Sequence, residues 1–202
     1  STMVKNNESQ TLRRAVLWVA VLNAAYFGVE FAVGTSIRSV SLIADSIDFV
    51  EDASINLLIL VGLGMAAQSR ARMGSVLAII IFIPGLAALV AAVDKFLHPA
   101  VPGVTAMSVT ALGALLTNGL AALILSRVRH HEGSLVTAAW LSARNDVLAN
   151  FAIIAAALAS LWIASPVWDI AVGLAIGVLN SDAAFKVWRR SRADLKSADA
   201  TP

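Results

Sequence analysis

The stretch SLIADSIDFVEDASIN, residues 41–56, sets four carboxylates inside a segment otherwise apolar enough to cross a membrane. A helix turns about 100° per residue, so Asp45, Asp48 and Asp52 fall within roughly 60° of one another, with Glu51 to the side of that stripe. An ionised carboxylate at the centre of a membrane helix costs about 2.5–3.5 kcal/mol on the insertion scale. One buried acid is explained as a group kept neutral or tied to a neighbouring helix. Three on one face call for a counter-charge, and a cation that enters and leaves supplies it.

Composition sets the class. The 202-residue chain is 58% hydrophobic and 14% charged, with a mean hydropathy of +0.79, which excludes an ordinary soluble domain. A span needs about 20 apolar residues. Six candidates are predicted, over 14–35, 40–66, 74–96, 104–127, 135–163 and 166–188. The expectation is an all-α integral membrane protein of six transmembrane helices. Residues 1–12 would form a flexible N-terminal segment, 13–190 the membrane domain and 191–202 a short C-terminal tail.

The net charge of +2 does not point to nucleic acid, because the basic residues sit at the ends of the predicted helices. Lys5, Arg13 and Arg14 precede the first span, Arg70 and Arg72 join the second to the third, and Arg127 and Arg129 join the fourth to the fifth. Lys186, Arg189, Arg190, Arg192 and Lys196 lie at or beyond the end of the sixth. With both termini cytoplasmic, all of these face inward and Arg38 and Lys95 face out. The positive-inside rule gives that topology, in the inner cell membrane. Cysteine is absent, so disulfides and thiolate metal sites are excluded. No cleavable signal peptide is expected, since the first apolar stretch is long and lacks a clear cleavage site.

Along the chain, Asn23 and Glu30 interrupt the first span. Asn23 reads as an interhelical hydrogen bond or a supporting group at a site, and Glu30 as part of an exit path or a partner for Arg38. Pro84 and Gly85 suggest a kink in the third span. The fourth holds Asn118 among small residues that suit close packing. His130 and His131 follow it, as an entrance that collects metal or simply as solvated side chains. Asp169 suits the dipole of its own helix start.

The fifth span repeats the second. Asp48, Asp52 and Asn56 are spaced as Ser142, Asp146 and Asn150 are, at an offset of 94, and Asn23 and Asn118 are 95 apart. Two related three-helix halves follow, the second inverted, and such repeats place a site near the midplane between them. Arg144 lies about 200° around the helix from Ser142 and Asp146, away from that site. It reads as an ion-pair partner of Glu51 or Glu30, or as a snorkelling cation.

The run SLIADSIDFVED, the six-helix count and the paired four-residue spacing resemble the cation diffusion facilitator family of divalent metal transporters. That resemblance implies export of a transition metal, usually zinc, in exchange for protons by a homodimer, with no resident cofactor. It also implies a His/Asp-x-x-x-Asp pair on each of the second and fifth helices. Asp48 and Asp52 match the first pair, Asp146 the acid of the second, and Ser142 stands where a His or Asp is expected. Ser142, Asn145 or water would complete the ligand set, with Asp45, Asn150 and Asn23 in support. The family's usual C-terminal domain is not expected here, which resembles a short form. Zinc is most often held with His or Cys, and oxygen-only sites also suit manganese. Zinc or cadmium is the family expectation, with cobalt, nickel, iron and manganese open.

Clustered acids in a low-dielectric site cannot all stay charged without a cation, so metal and protons would alternate there. No nucleophile–His–Asp arrangement, phosphate-cradling Gly loop or metalloprotease motif is evident, so an enzyme is not expected. Two alternatives share the helices. One is an accessory metal-binding subunit; the other is an exporter of small organic cations, which the 6% aromatic content disfavours.

Overall fold

A computed structural model describes residues 2–62, 66–128 and 133–199. The chain forms six helices: α1 (Thr2–Ser36), α2 (Val40–Gly62), α3 (Ala67–Leu97), α4 (Val104–Val128), α5 (Gly133–Trp162) and α6 (Val167–Asp199). The fold is all-α, as the six apolar stretches require. Two ends differ from expectation. Residues 2–12 are the opening turns of α1, and α6 continues through Asp199. Pro84 lies inside α3 without ending it. His130 and His131 lie outside the described residues.

Among the described residues, four helices are long and apolar enough to cross a membrane: Asn6–Ser36, Ala71–Leu97, Val104–Val128 and Ser142–Trp162. The second candidate has the length, but it carries four carboxylates. The apolar part described for α6 is Val167–Leu179. Apolar side chains such as Ile79, Phe82, Ile83, Leu86 and Val90 of α3 are well exposed, the surface that hydrocarbon covers at no cost and water does not.

α2 is the centre of the bundle. It packs on α1, α3, α5 and α6, and α4 touches it lightly. Every residue from 39 to 50 is buried. A helix surrounded in this way must be apolar all round or satisfied by its neighbours. α1 lies along α2 as α4 lies along α5, and α3 pairs with α6, the arrangement that two related three-helix halves give.

The α1–α2 turn fixes how α2 enters. Arg38 has φ 56°, Ser39 N donates to Gly34 O at 2.8 Å and Arg38 N to Thr35 O at 3.3 Å. These are the bonds of a Schellman turn, with an arginine where glycine is usual. The left-handed conformation costs a non-glycine residue about 1–2 kcal/mol. Side-chain and carbonyl contacts offset it: the Arg38 guanidinium pairs with Asp94, and its carbonyl accepts from Lys95 Nζ at 2.8 Å.

The first N–H groups of α2 then find a full set of acceptors, which lipid would not provide. Val40 N and Ser41 N donate to Asp169 at 2.7 and 3.1 Å. Leu42 N donates to Ser39 Oγ at 3.2 Å, and Ile43 N to Ser39 O at 3.2 Å. Asp169 belongs to α6. It also accepts from Ser39 Oγ at 2.7 Å, Ser41 Oγ at 2.6 Å and Lys95 Nζ at 2.7 Å. This corrects the sequence reading of Asp169, which serves the dipole of α2 rather than only its own helix. Lys95 stays at the same end of the bundle as Arg38, buried against Asp169. Glycine makes the approach possible: a Cβ on Gly173 would stand 2.7 Å from Val40 Cγ1 and 2.9 Å from Ser41 N.

Candidate functional site

The predicted stripe exists. Asp45, Asp48 and Asp52 are buried along one side of α2, as their spacing requires. α5 runs antiparallel against them, so its polar residues meet the stripe in reverse order. Ser142 Oγ donates to Asp52 Oδ1 at 3.0 Å. Next along α5, the Asp146 carboxyl contacts that of Asp52 and lies near Asp48. Farther on, Asn150 Nδ2 donates to Asp45 Oδ2 at 2.6 Å. The four family-motif positions therefore come together, with Asp45 and Asn150 beside them.

The carboxylates extend beyond that group. Glu30 of α1 is fully buried, and its carboxyl meets Asp45. Two carboxyl groups in hydrogen-bonding contact need a proton or a cation between them. Glu30 Oε1 and Oε2, Asp45 Oδ1, Asp48 Oδ2, Asp52 Oδ2 and Asp146 Oδ2 are all buried without a hydrogen-bond donor. Buried oxygens normally have one. Such a row of orphaned acceptors can be satisfied by protons or by a cation. The acids stand in a file along α2, and among the described residues no three acidic or histidine side chains are already gathered as a ligand shell.

Basic side chains near the file are engaged elsewhere. Arg38 pairs with Asp94, so of the two readings of Glu30 the pairing with Arg38 is set aside, and Lys95 pairs with Asp169. Arg144 is exposed, with its guanidinium 5.2 Å from the centre of the Trp140 ring. That fits its angle on α5, away from Glu30.

The supporting residues divide. Asn150 is buried and joins the site. Asn145 lies on the exposed side of α5, because one step back from Asp146 rotates it about 100°; its assignment as a possible ligand or supporting group is corrected. Asn23 is buried, with Oδ1 lacking a donor. Sequence reasoning missed Asn118, read as part of a packing surface. Its Nδ2 donates to Asn150 Oδ1 at 2.8 Å, which leaves the Asn150 amide nitrogen to face Asp45. The 95-residue shift from Asn23 was the signal that marked it.

The repeat is not followed everywhere. Asn56, the counterpart of Asn150, donates to the carbonyl of Asp52 in its own helix at 2.8 Å. The residue 94 positions after Asp45 is Ala139, which offers no carboxylate.

A search of curated proteins finds no match. The family model described as the cation efflux transmembrane domain matches residues 16–195, from the start of the apolar sequence in α1 almost to the end of α6. With that match, and with Asp48 and Asp52 of α2 facing Ser142 and Asp146 of α5, the chain belongs to the cation efflux, or cation diffusion facilitator, family of multi-pass membrane cation transporters.

Proposed function

We propose that the protein exports a divalent transition metal of the zinc or cadmium type in exchange for protons. Asp48, Asp52 and Asp146 are the metal-binding carboxylates in this reading, and Ser142 takes the fourth position or orients Asp52. The observation that carries it is the set of buried carboxylate oxygens without donors on facing sides of α2 and α5. A divalent cation gives those oxygens partners. When it leaves, protons must take its place, because the neighbouring ammonium and guanidinium groups are already engaged.

Oxygen donors accept zinc, cadmium or manganese, which supports a divalent cargo without ranking the metals, and the family favours zinc. Rocking of the two halves about the site would give alternating access. A homodimer in the inner membrane is part of the same proposal, and crosslinking in native membranes checks it.

The deciding experiment is zinc uptake into liposomes holding the purified chain, with an internal zinc dye and an imposed pH gradient. Uptake should require the gradient and vanish in Asp52→Ala. A well-folded protein that moves neither zinc, cadmium nor manganese would be an accessory subunit instead. Competition by a bulky organic cation would favour an organic-cation exporter.

A further inference from the structure

Glu30 is the least explained group in the bundle. It is wholly buried, and neither carboxyl oxygen has a donor. Three candidate donors are engaged elsewhere. Tyr26, one helical turn earlier, gives its hydroxyl to Thr110 O at 2.6 Å, and Arg38 and Lys95 are held by Asp94 and Asp169. Asp45, which Glu30 faces, is not free to turn away. Asn118 orients Asn150, and Asn150 holds Asp45 Oδ2 at 2.6 Å, leaving Oδ1 as a fixed, unpartnered acceptor.

The two halves differ at this point. The 95- and 94-residue shifts put Leu125 opposite Glu30 and Ala139 opposite Asp45. Both are buried in one apolar cluster with Leu12, Val16 and Ile59. Acid on one side of the pseudo-symmetric site and hydrocarbon on the other is not a packing requirement of the fold. Glu30 and Asp45 lie on the side away from the termini, toward the Lys95–Asp169 pair.

We propose that Glu30 and Asp45 form a second divalent-metal station, which receives the ion from Asp48, Asp52 and Asp146 on its way out. This rests on the exporter reading above. Glu30 Oε1 and Oε2 and Asp45 Oδ1 supply the protein ligands, and water completes an all-oxygen shell of the kind that divalent cations accept.

The test is equilibrium binding of radioactive cadmium to the full chain in detergent, with each variant first shown to be monodisperse and helical. Asp52→Asn/Asp146→Asn should lose the main site and retain one cadmium per chain, bound about tenfold or more weaker. Adding Glu30→Gln to that background should abolish the residual binding, and adding Asp45→Asn should do the same by a second route. No residual binding in the double variant, or residual binding that Glu30→Gln leaves unchanged, overturns the second station. Wild-type affinity in the double variant would instead overturn the main site and the exporter reading with it. Anomalous-scattering maps of wild-type crystals soaked in cadmium give a reading that needs no variant. A peak between Glu30 and Asp45 supports the station; a peak confined to Asp48, Asp52 and Asp146 refutes it.

Discussion

Replacing Lys95 by Met removes the ammonium that holds Asp169 while keeping most of the side chain's length and packing. Both partners are 1% exposed, and Nζ lies 2.7 Å from Oδ2. Breaking a buried pair from one side costs about 3–5 kcal/mol, because the remaining charge is left uncompensated. Two features set the value here. Asp169 keeps donors in Ser39, Val40 and Ser41. The pair also lies within a turn of the end of α3, where headgroup water is near. The expected loss is therefore at the low edge, about 3 kcal/mol.

Asp169→Asn should cost about as much, by leaving Lys95 with the Arg38 carbonyl and weakening the cap on α2. The double variant should recover part of the sum, with a coupling of about 2 kcal/mol, since each single change already breaks the pair. Reversible unfolding of the purified protein by SDS titration in mixed micelles, followed by helical circular dichroism, reads all four corners of the cycle. Single variants within about 0.5 kcal/mol of wild type, or a double variant equal to the sum of the singles, would refute the reasoning.

Gly173→Ala should destabilise by about 1–3 kcal/mol, because the new Cβ meets the α2 backbone that Asp169 fixes; Gly119→Ala, with nothing within 4 Å of its Cβ, is the neutral comparator in the same titration. Asn150→Ala should cost about 1–3 kcal/mol by stripping a donor from Asp45 and an acceptor from Asn118, and Asn56→Ala should cost less because its amide serves only its own helix. Cadmium affinity should fall as pH falls, since protons and metal compete for the same oxygens, by one decade of Kd per pH unit for each proton displaced. Calorimetric titration at pH 6 and pH 8 measures it, and a flat profile would remove proton exchange.

Much of the site was legible because it is written in helical spacing. The face shared by Asp45, Asp48 and Asp52 follows from about 100° per residue, and the matching triplet at Ser142, Asp146 and Asn150 announced the facing helix. Spacing says nothing about which helix a side chain crosses to. Asp169 stands in the first turn of α6 and suits that helix's own dipole, yet its carboxylate reaches the N-terminus of α2. Glu30 lies on α1, and its meeting with Asp45 depends on how α1 and α2 pack, which no local pattern encodes. Arg38 is the reverse case: a non-glycine residue in a left-handed turn is legible only once Asp94 and Lys95 are seen to hold it.

The clasp at that end also sets which parts of the bundle can move together. Asp169 belongs to α6 yet satisfies the first two N–H groups of α2, and Lys95 brings α3 into the same contact. Tilting α2 away from α6 would strip those groups of the carboxylate that holds them. Gly173 against Val40 and Ser41 leaves no slack for sliding either. α2, α3 and α6 are thus joined at this end as one body. The joins between α2 and α5 are of a different kind: a hydroxyl, an amide and facing carboxyl groups. Carboxyl contacts change strength whenever a proton or a metal ion is exchanged, whereas the Asp169 cap does not depend on the cargo. In the transport reading, the surface between the two helices that carry the site is then also the surface best suited to rearrange when its occupant changes.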